Sequence, residues 1–144
     1  MKTDEVVNLL VRTKIAQPQE IVGYTEEEIS ELEQRVGLTL PTAYRDFLRT
    51  MGHRGGSFMA GTDFFYDDLP GLRDALIESF TQMRVDFHMP SDLLVFSSHQ
   101  GYIFHFFRTT EGDDPPVYGY SEADPTVRQK WPTFSDALFG FAEE

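Results

Sequence analysis

The sequence predicts an α+β fold in which a single, mostly antiparallel sheet is packed by helices, and three observations predict it. The first half of the chain carries apolar residues at helical spacing, punctuated by caps and stops. The second half carries short aromatic and β-branched runs separated by turns. The chain then ends on one more amphipathic helical segment. Helices before and after a run of strands make a layered α+β arrangement, because the apolar faces of a sheet need covering.

Between Asp4 and Lys14, the residues Val6, Val7, Leu10 and Val11 fall on one helical face. The Gln17-Pro18-Gln19 stretch then breaks the helix, since proline removes a backbone donor. Thr25 opens a second helix: Glu28 follows three residues later, a capping box in which each side chain satisfies an orphan N–H. Glu26 and Glu27 sit in its first turn, where the helix dipole favours negative charge. Ile29, Leu32 and Val36 form its buried stripe, and Gly37 is its stop.

Pro41 opens a third helix at a first-turn position that proline tolerates. Leu40, Tyr44, Phe47, Leu48 and Met51 line one side of it, and Gly52 ends it. The glycine-rich stretch Gly52–Gly61 leads to a strand at Thr62–Tyr66, and a fourth helix turns Leu69, Leu72, Leu76, Phe80 and Met83 inward. Strands at Leu93–Ser98 and Tyr102–Arg108 meet at a His99-Gln100-Gly101 turn, where Gly101 supplies the positive φ. The loop Thr110–Pro116 separates this hairpin from a strand at Val117–Tyr120. The last helix, from about Thr133 to Ala142, buries Phe134, Ala137, Leu138 and Phe141.

A length of 144 residues fits one domain, 1–144, with residues 1–17 forming a helix ahead of the core. At this size roughly 68–70% of the unfolded surface is buried, and 13 Phe and 6 Tyr give the core its bulk. With no cysteine, disulfide frameworks, thiolate metal sites and cysteine nucleophiles are excluded together, which suits a reducing compartment. Asp4, Glu5, Arg12 and Lys14 interrupt the N-terminal segment, and no 18-residue apolar run follows, so a soluble cytoplasmic protein is expected. The net charge of −12 repels phosphate backbones and anionic membranes and draws basic partners.

The segment Leu38–Gly52 reads L-T-L-P-T-A-Y-R-D-F-L-R-T-M-G. It resembles the signature of the SUKH superfamily (Smi/Knr type), an L-P-x-x-Y-x-x-F-L helix ending near a glycine. The resemblance extends upstream to Ile29–Val36. Downstream it takes in Met89–Phe96, Gly101–Phe107, Asp114–Tyr118 and Trp131–Ser135, so it covers about residues 20–142. One departure stands out: Met51 occupies the position before Gly52 where many members carry Asn, so no role of that Asn transfers. The resemblance implies an α+β fold, no enzymatic activity and protein partners; many bacterial members look like immunity proteins that neutralise toxin domains. It marks Leu40, Pro41, Tyr44, Phe47, Leu48, Gly52 and Trp131 as fold-building residues. Each fully buried apolar side chain among them contributes about 1.5–3 kcal/mol.

The search for chemistry points the same way. The four histidines, His53, His88, His99 and His105, show no metal-ligand spacing. His105 shares a strand face with Ile103 and Phe107 and reads as a hydrogen-bonded structural residue. Ser97-Ser98-His99 places its groups on alternating faces, and there is no nucleophile elbow. The pairs Asp67-Asp68 and Asp113-Asp114 lie in loops, where carboxylates stay solvated. The stretch Gly52–Ser57 has the composition of an anion cradle, yet Arg45, Arg49 and His53 also suit a helix C-terminal end.

No catalytic, metal or cofactor residue is therefore expected, and no direct nucleic-acid or membrane partner. The expected function is binding and neutralising a toxin protein, a basic nuclease domain being one candidate. The expected contacts are Glu26, Glu27, Asp67, Asp68, Glu111, Asp113 and Asp114, with Tyr118 and Tyr120 as exposed aromatic anchors. The alternative is a non-enzymatic adaptor that reads a peptide or small ligand along the sheet face and Gly52–Gly61.

Overall fold

Two short apolar-faced helices begin the chain in the computed structural model, which describes residues 2–64 and 69–143. Helix α1, Lys2–Arg12, buries Val6 and Leu10. Helix α2, Glu26–Val36, forms as its capping box dictates. The Thr25 hydroxyl accepts the Glu28 N–H at 3.2 Å, and Glu28 accepts the Thr25 N–H at 2.9 Å. Gly37 closes it in the left-handed region at φ 70°.

Helix α3, Thr42–Met51, starts one residue later than its proline suggested. Pro41 is extended at φ −60°, ψ 150° and serves as the N-cap rather than the first helical residue. Tyr44, Phe47, Leu48 and Met51 are fully buried on one side, as their spacing requires. Gly52 is needed for space: a Cβ there would meet the Tyr24 ring at 2.5 Å.

Two very short strands, β1 (Ile21–Val22) and β2 (Arg54–Gly55), pair antiparallel and clip the ends of α2 and α3 together. The main sheet is antiparallel with its strands in chain order. They are β3 (Thr62–Asp63), β4 (Leu93–His99), β5 (Ile103–Arg108), β6 (Val117–Ser121) and β7 (Asp124–Trp131). The expected strand Thr62–Tyr66 is described only through Phe64, where Thr62 pairs with His99.

Helix α4, Leu72–Gln82, covers one face of the sheet, and Phe80 meets Tyr120 edge-on at 4.8 Å. Helices α3 and α5, Phe134–Ala142, cover the other. There Tyr44, Phe96, Phe107 and Phe134 interlock with centroid distances of 5.2 to 6.3 Å. Strand β4 is buried along nearly its whole length because helices lie on both sides of it. Met83, expected to face inward, is 37% exposed, since it lies at the C-cap of α4 beyond the helix's contact with the sheet.

Trp131 anchors the C-terminal helix to the sheet. Its ring lies 5.0 Å from Phe141 and 5.5 Å from His105. Gly140 makes room for it, since a Cβ at that position would stand 2.6 Å from the indole Nε1.

Candidate partner surface

The acidic residues singled out above do not gather into one patch. Glu26 lies beside Arg49 near the C-terminal end of α3, and Arg49 also bonds Asp46 at 3.0 Å. The hydrogen bond from Arg49 holds the Glu26 carboxyl below its ordinary range. Glu27 is exposed. Asp67 and Asp68 lie outside the described residues. At the opposite end of α3, some seven residues and about 10 Å away, stands the loop carrying Glu111, Asp113 and Asp114.

That loop serves two helix N-termini at once. The Asp113 carbonyl accepts the Ala43 N–H at 2.9 Å in the first turn of α3. The Asp114 carboxylate accepts the Ser135 N–H at 2.9 Å in the first turn of α5. A helix leaves its first N–H groups without internal partners and carries partial positive charge there, so both contacts are favourable. Asp114 is thus a capping residue as well as a surface acid. Asp114→Ala is expected to lower stability by about 1–2 kcal/mol in urea unfolding, and Asp114→Asn by clearly less, since the amide oxygen still accepts.

The two aromatic anchors separate. Tyr118 is half-buried, stacked 6.1 Å from Phe106, with its hydroxyl donating to Glu111 at 3.0 Å. Burial and the neighbouring carboxylate both raise its phenol above the ordinary value. Tyr120, expected to be exposed, is only 2% exposed. Phe80 covers its ring, and its hydroxyl meets Ser79 at 3.0 Å, while Ser79 in turn donates to Glu122. Tyr120 ties α4 to the sheet and offers no contact to a partner.

The glycine-rich stretch after α3 already uses several of its backbone donors within the fold. The N–H groups of His53, Ser57 and Phe58 donate to the carbonyls of Val22, Ile15 and Gly55. The His53 imidazole meets Glu28 at 2.8 Å, a second role for that capping carboxylate. An open cleft of about 480 Å³ remains here, lined by Gln19, Glu20, His53, Arg54 and residues between Gly55 and Thr62.

Histidine 105 differs from its expectation. It packs against Trp131, Phe141 and Phe96, but its buried Nδ1 has no hydrogen-bond partner among the described residues. Burial, with Lys130 nearby, pushes the imidazole down to about 4. Asp92 is another polar residue the sequence did not mark. It accepts from Thr110 and from Arg108 at 3.0 Å, which hold its carboxyl below the ordinary range, and it locks the base of the β4–β5 hairpin.

Strand β7 was also missed, and it brings Arg128 and Lys130 to the sheet's edge. A signal was present in the alternation of Val127, Gln129 and Trp131 with Thr126, Arg128 and Lys130. Among the described residues, no three His, Asp or Glu side chains gather as metal ligands, and no helix is long and apolar enough to cross a membrane.

The fold is thus an antiparallel sheet with helices on both faces, opened by the Pro41-capped helix that buries Tyr44, Phe47 and Leu48. Residues 23–140 match the model of the SMI1 / KNR4 family (SUKH-1), and the chain belongs to that family. No curated protein matches the chain.

Proposed function

We propose that this chain is a cytoplasmic immunity protein, which binds a toxin domain of a bacterial polymorphic or contact-dependent system and neutralises it without catalysis. The observation that carries this reading is membership of the SUKH-1 family across residues 23–140. The charge supports it: 24 acidic against 12 basic residues suit a basic partner such as a nuclease domain. Complementary fields raise association above the ordinary 10⁵–10⁶ M⁻¹s⁻¹ by roughly one or more orders of magnitude. The contacts we assign are Glu26, Glu27, Asp67, Asp68, Glu111, Asp113 and Tyr118.

Co-expression with the toxin domain encoded beside it is expected to restore growth, and the two chains are expected to co-purify. Continued killing together with no complex in a pull-down would refute the proposal. Retained protection with an association rate indifferent to salt would refute its electrostatic part alone.

The cleft of about 480 Å³ beside Gly55–Thr62 favours a second reading, an adaptor that holds a peptide segment. A gene set among metabolic neighbours, with no toxin gene adjoining, would point to it.

A further inference from the structure

Strand β7 is an outer strand of the sheet, and a cleft of about 220 Å³ opens on the face it shares with β5 and β6. Its lining includes His105, Gly119, Asp124, Thr126, Arg128 and Lys130. Gly119 is its floor: a Cβ there would stand 2.8 Å from Lys130 Cγ and 3.3 Å from His105 Cδ2. The lysine stem therefore lies across the glycine, with the Cδ2 edge of the imidazole alongside.

That geometry fixes what the imidazole offers. Nε2 adjoins Cδ2 in the ring, whereas Nδ1 lies on the other side, buried and unbonded among the described residues. Unbonded N–H donors are rarer in protein interiors than under-used acceptors. The proton of the neutral ring therefore sits on Nε2, which donates toward the cleft. Lys130 makes no ion pair among the described residues, while Arg128 is bonded to Asp124 at 3.2 Å. An imidazole N–H and an ammonium thus converge on one small opening, beside a guanidinium that Asp124 holds.

We propose that this cleft receives the carboxylate of a glutamate or aspartate side chain presented by a protein partner. Its volume falls below the roughly 300–1,000 Å³ of small-molecule pockets and suits a single side chain. The exposed edge of β7 offers backbone groups to an extended segment lying alongside. The net charge of −12 repels dissolved anions at a distance, so a carboxylate delivered by other contacts is favoured over a free one. The inference goes beyond toxin neutralisation and holds for whichever protein binds, since it concerns the basic edge rather than the acidic surface.

The test is an NMR titration that follows the imidazole nitrogens of His105. The probes are a short acetylated peptide alternating threonine and glutamate, the same peptide with glutamine, and sodium acetate at matched carboxylate concentration. The glutamate peptide is expected to shift His105 Nε2, and the glutamine peptide to leave it in place. Lys130→Met, which keeps the stem over Gly119, is expected to weaken the effect about tenfold. Should that variant unfold, Arg128→Gln on the same edge provides the comparison. No shift, an equal shift from the glutamine peptide, an equal response to acetate, or unchanged affinity in the folded variant would each overturn the proposal.

Discussion

Replacing Phe134 by alanine is expected to cost about 3–5 kcal/mol of stability, the range for deleting a large aromatic from a packed core. The ring is fully buried in the first turn of α5, where Thr133 caps the helix by accepting the Asp136 N–H at 3.0 Å. It meets Tyr44 and Phe96 nearly edge-on, each at 5.2 Å, and Phe47 and Phe107 at 5.8 Å. Edge-to-face pairs add about 0.5–1.5 kcal/mol each beyond area burial, and one truncation removes several of them. Since domains hold only about 5–15 kcal/mol in total, the variant should lose a large share of its stability. Urea titration followed by near-ultraviolet circular dichroism reads the change; a loss below about 1 kcal/mol would mean that the cluster closes over the gap.

The second large effect is a dependence on pH. His105 is held neutral down to about 4 in the folded chain, whereas an unfolded histidine takes up its proton near 6.5. Above 6.5 both states are neutral and the full stability is present. As pH falls toward 4 the unfolded state binds a proton that the folded state refuses, so stability declines by about 3 kcal/mol and then levels off. The charged group facing the ring is Lys130 on β7, and the remaining neighbours, Phe96, Trp131 and Phe141, are aromatic. His105→Phe is expected to flatten the decline between pH 6.5 and 4. Carboxylates such as Asp92 and Glu28 have lowered values, so they lose their contribution mainly below that window and affect both proteins alike. Equal slopes for the two proteins would exclude the ring as the cause.

The parts legible in the sequence were those written locally. The Thr25–Glu28 box, the Gly37 stop and the apolar face from Tyr44 to Met51 each sit within about one to three helical turns, and each formed as read. The hairpin turn places Gln100 at φ 53° and Gly101 at φ 79°, and the glycine marks it in the sequence. What escaped depends on distant parts of the chain. Strand β7 is mostly exposed and carries Pro125 and two bulges, which blur the alternation around Val127, Gln129 and Trp131. Strands β1 and β2 are two residues each, too short for any period.

Tyr118 and Tyr120 point to the same sheet face, but only Tyr120 lies under Phe80 of α4, and the reach of a helix across a sheet is not encoded in either tyrosine. The candidate contacts failed to converge for a related reason. The sequence offers Glu26 and Asp114 as partner contacts, whereas in the fold Arg49 and the N-terminus of α5 engage them.

The loop from Thr110 to Pro116 has a consequence for how the molecule tolerates change. Its span is stitched to α3 through the Asp113 carbonyl and to α5 through the Asp114 carboxylate. One added residue between Asp113 and Asp114 cannot keep both attachments in register, so the insertion loosens the N-termini of α3 and α5 together although it removes no apolar side chain. A protease cut between those two residues would leave every ring of the interior present and yet remove the covalent link between the two attachments. The segment works as a keystone, and variation that a surface loop ordinarily absorbs is here felt across the interior.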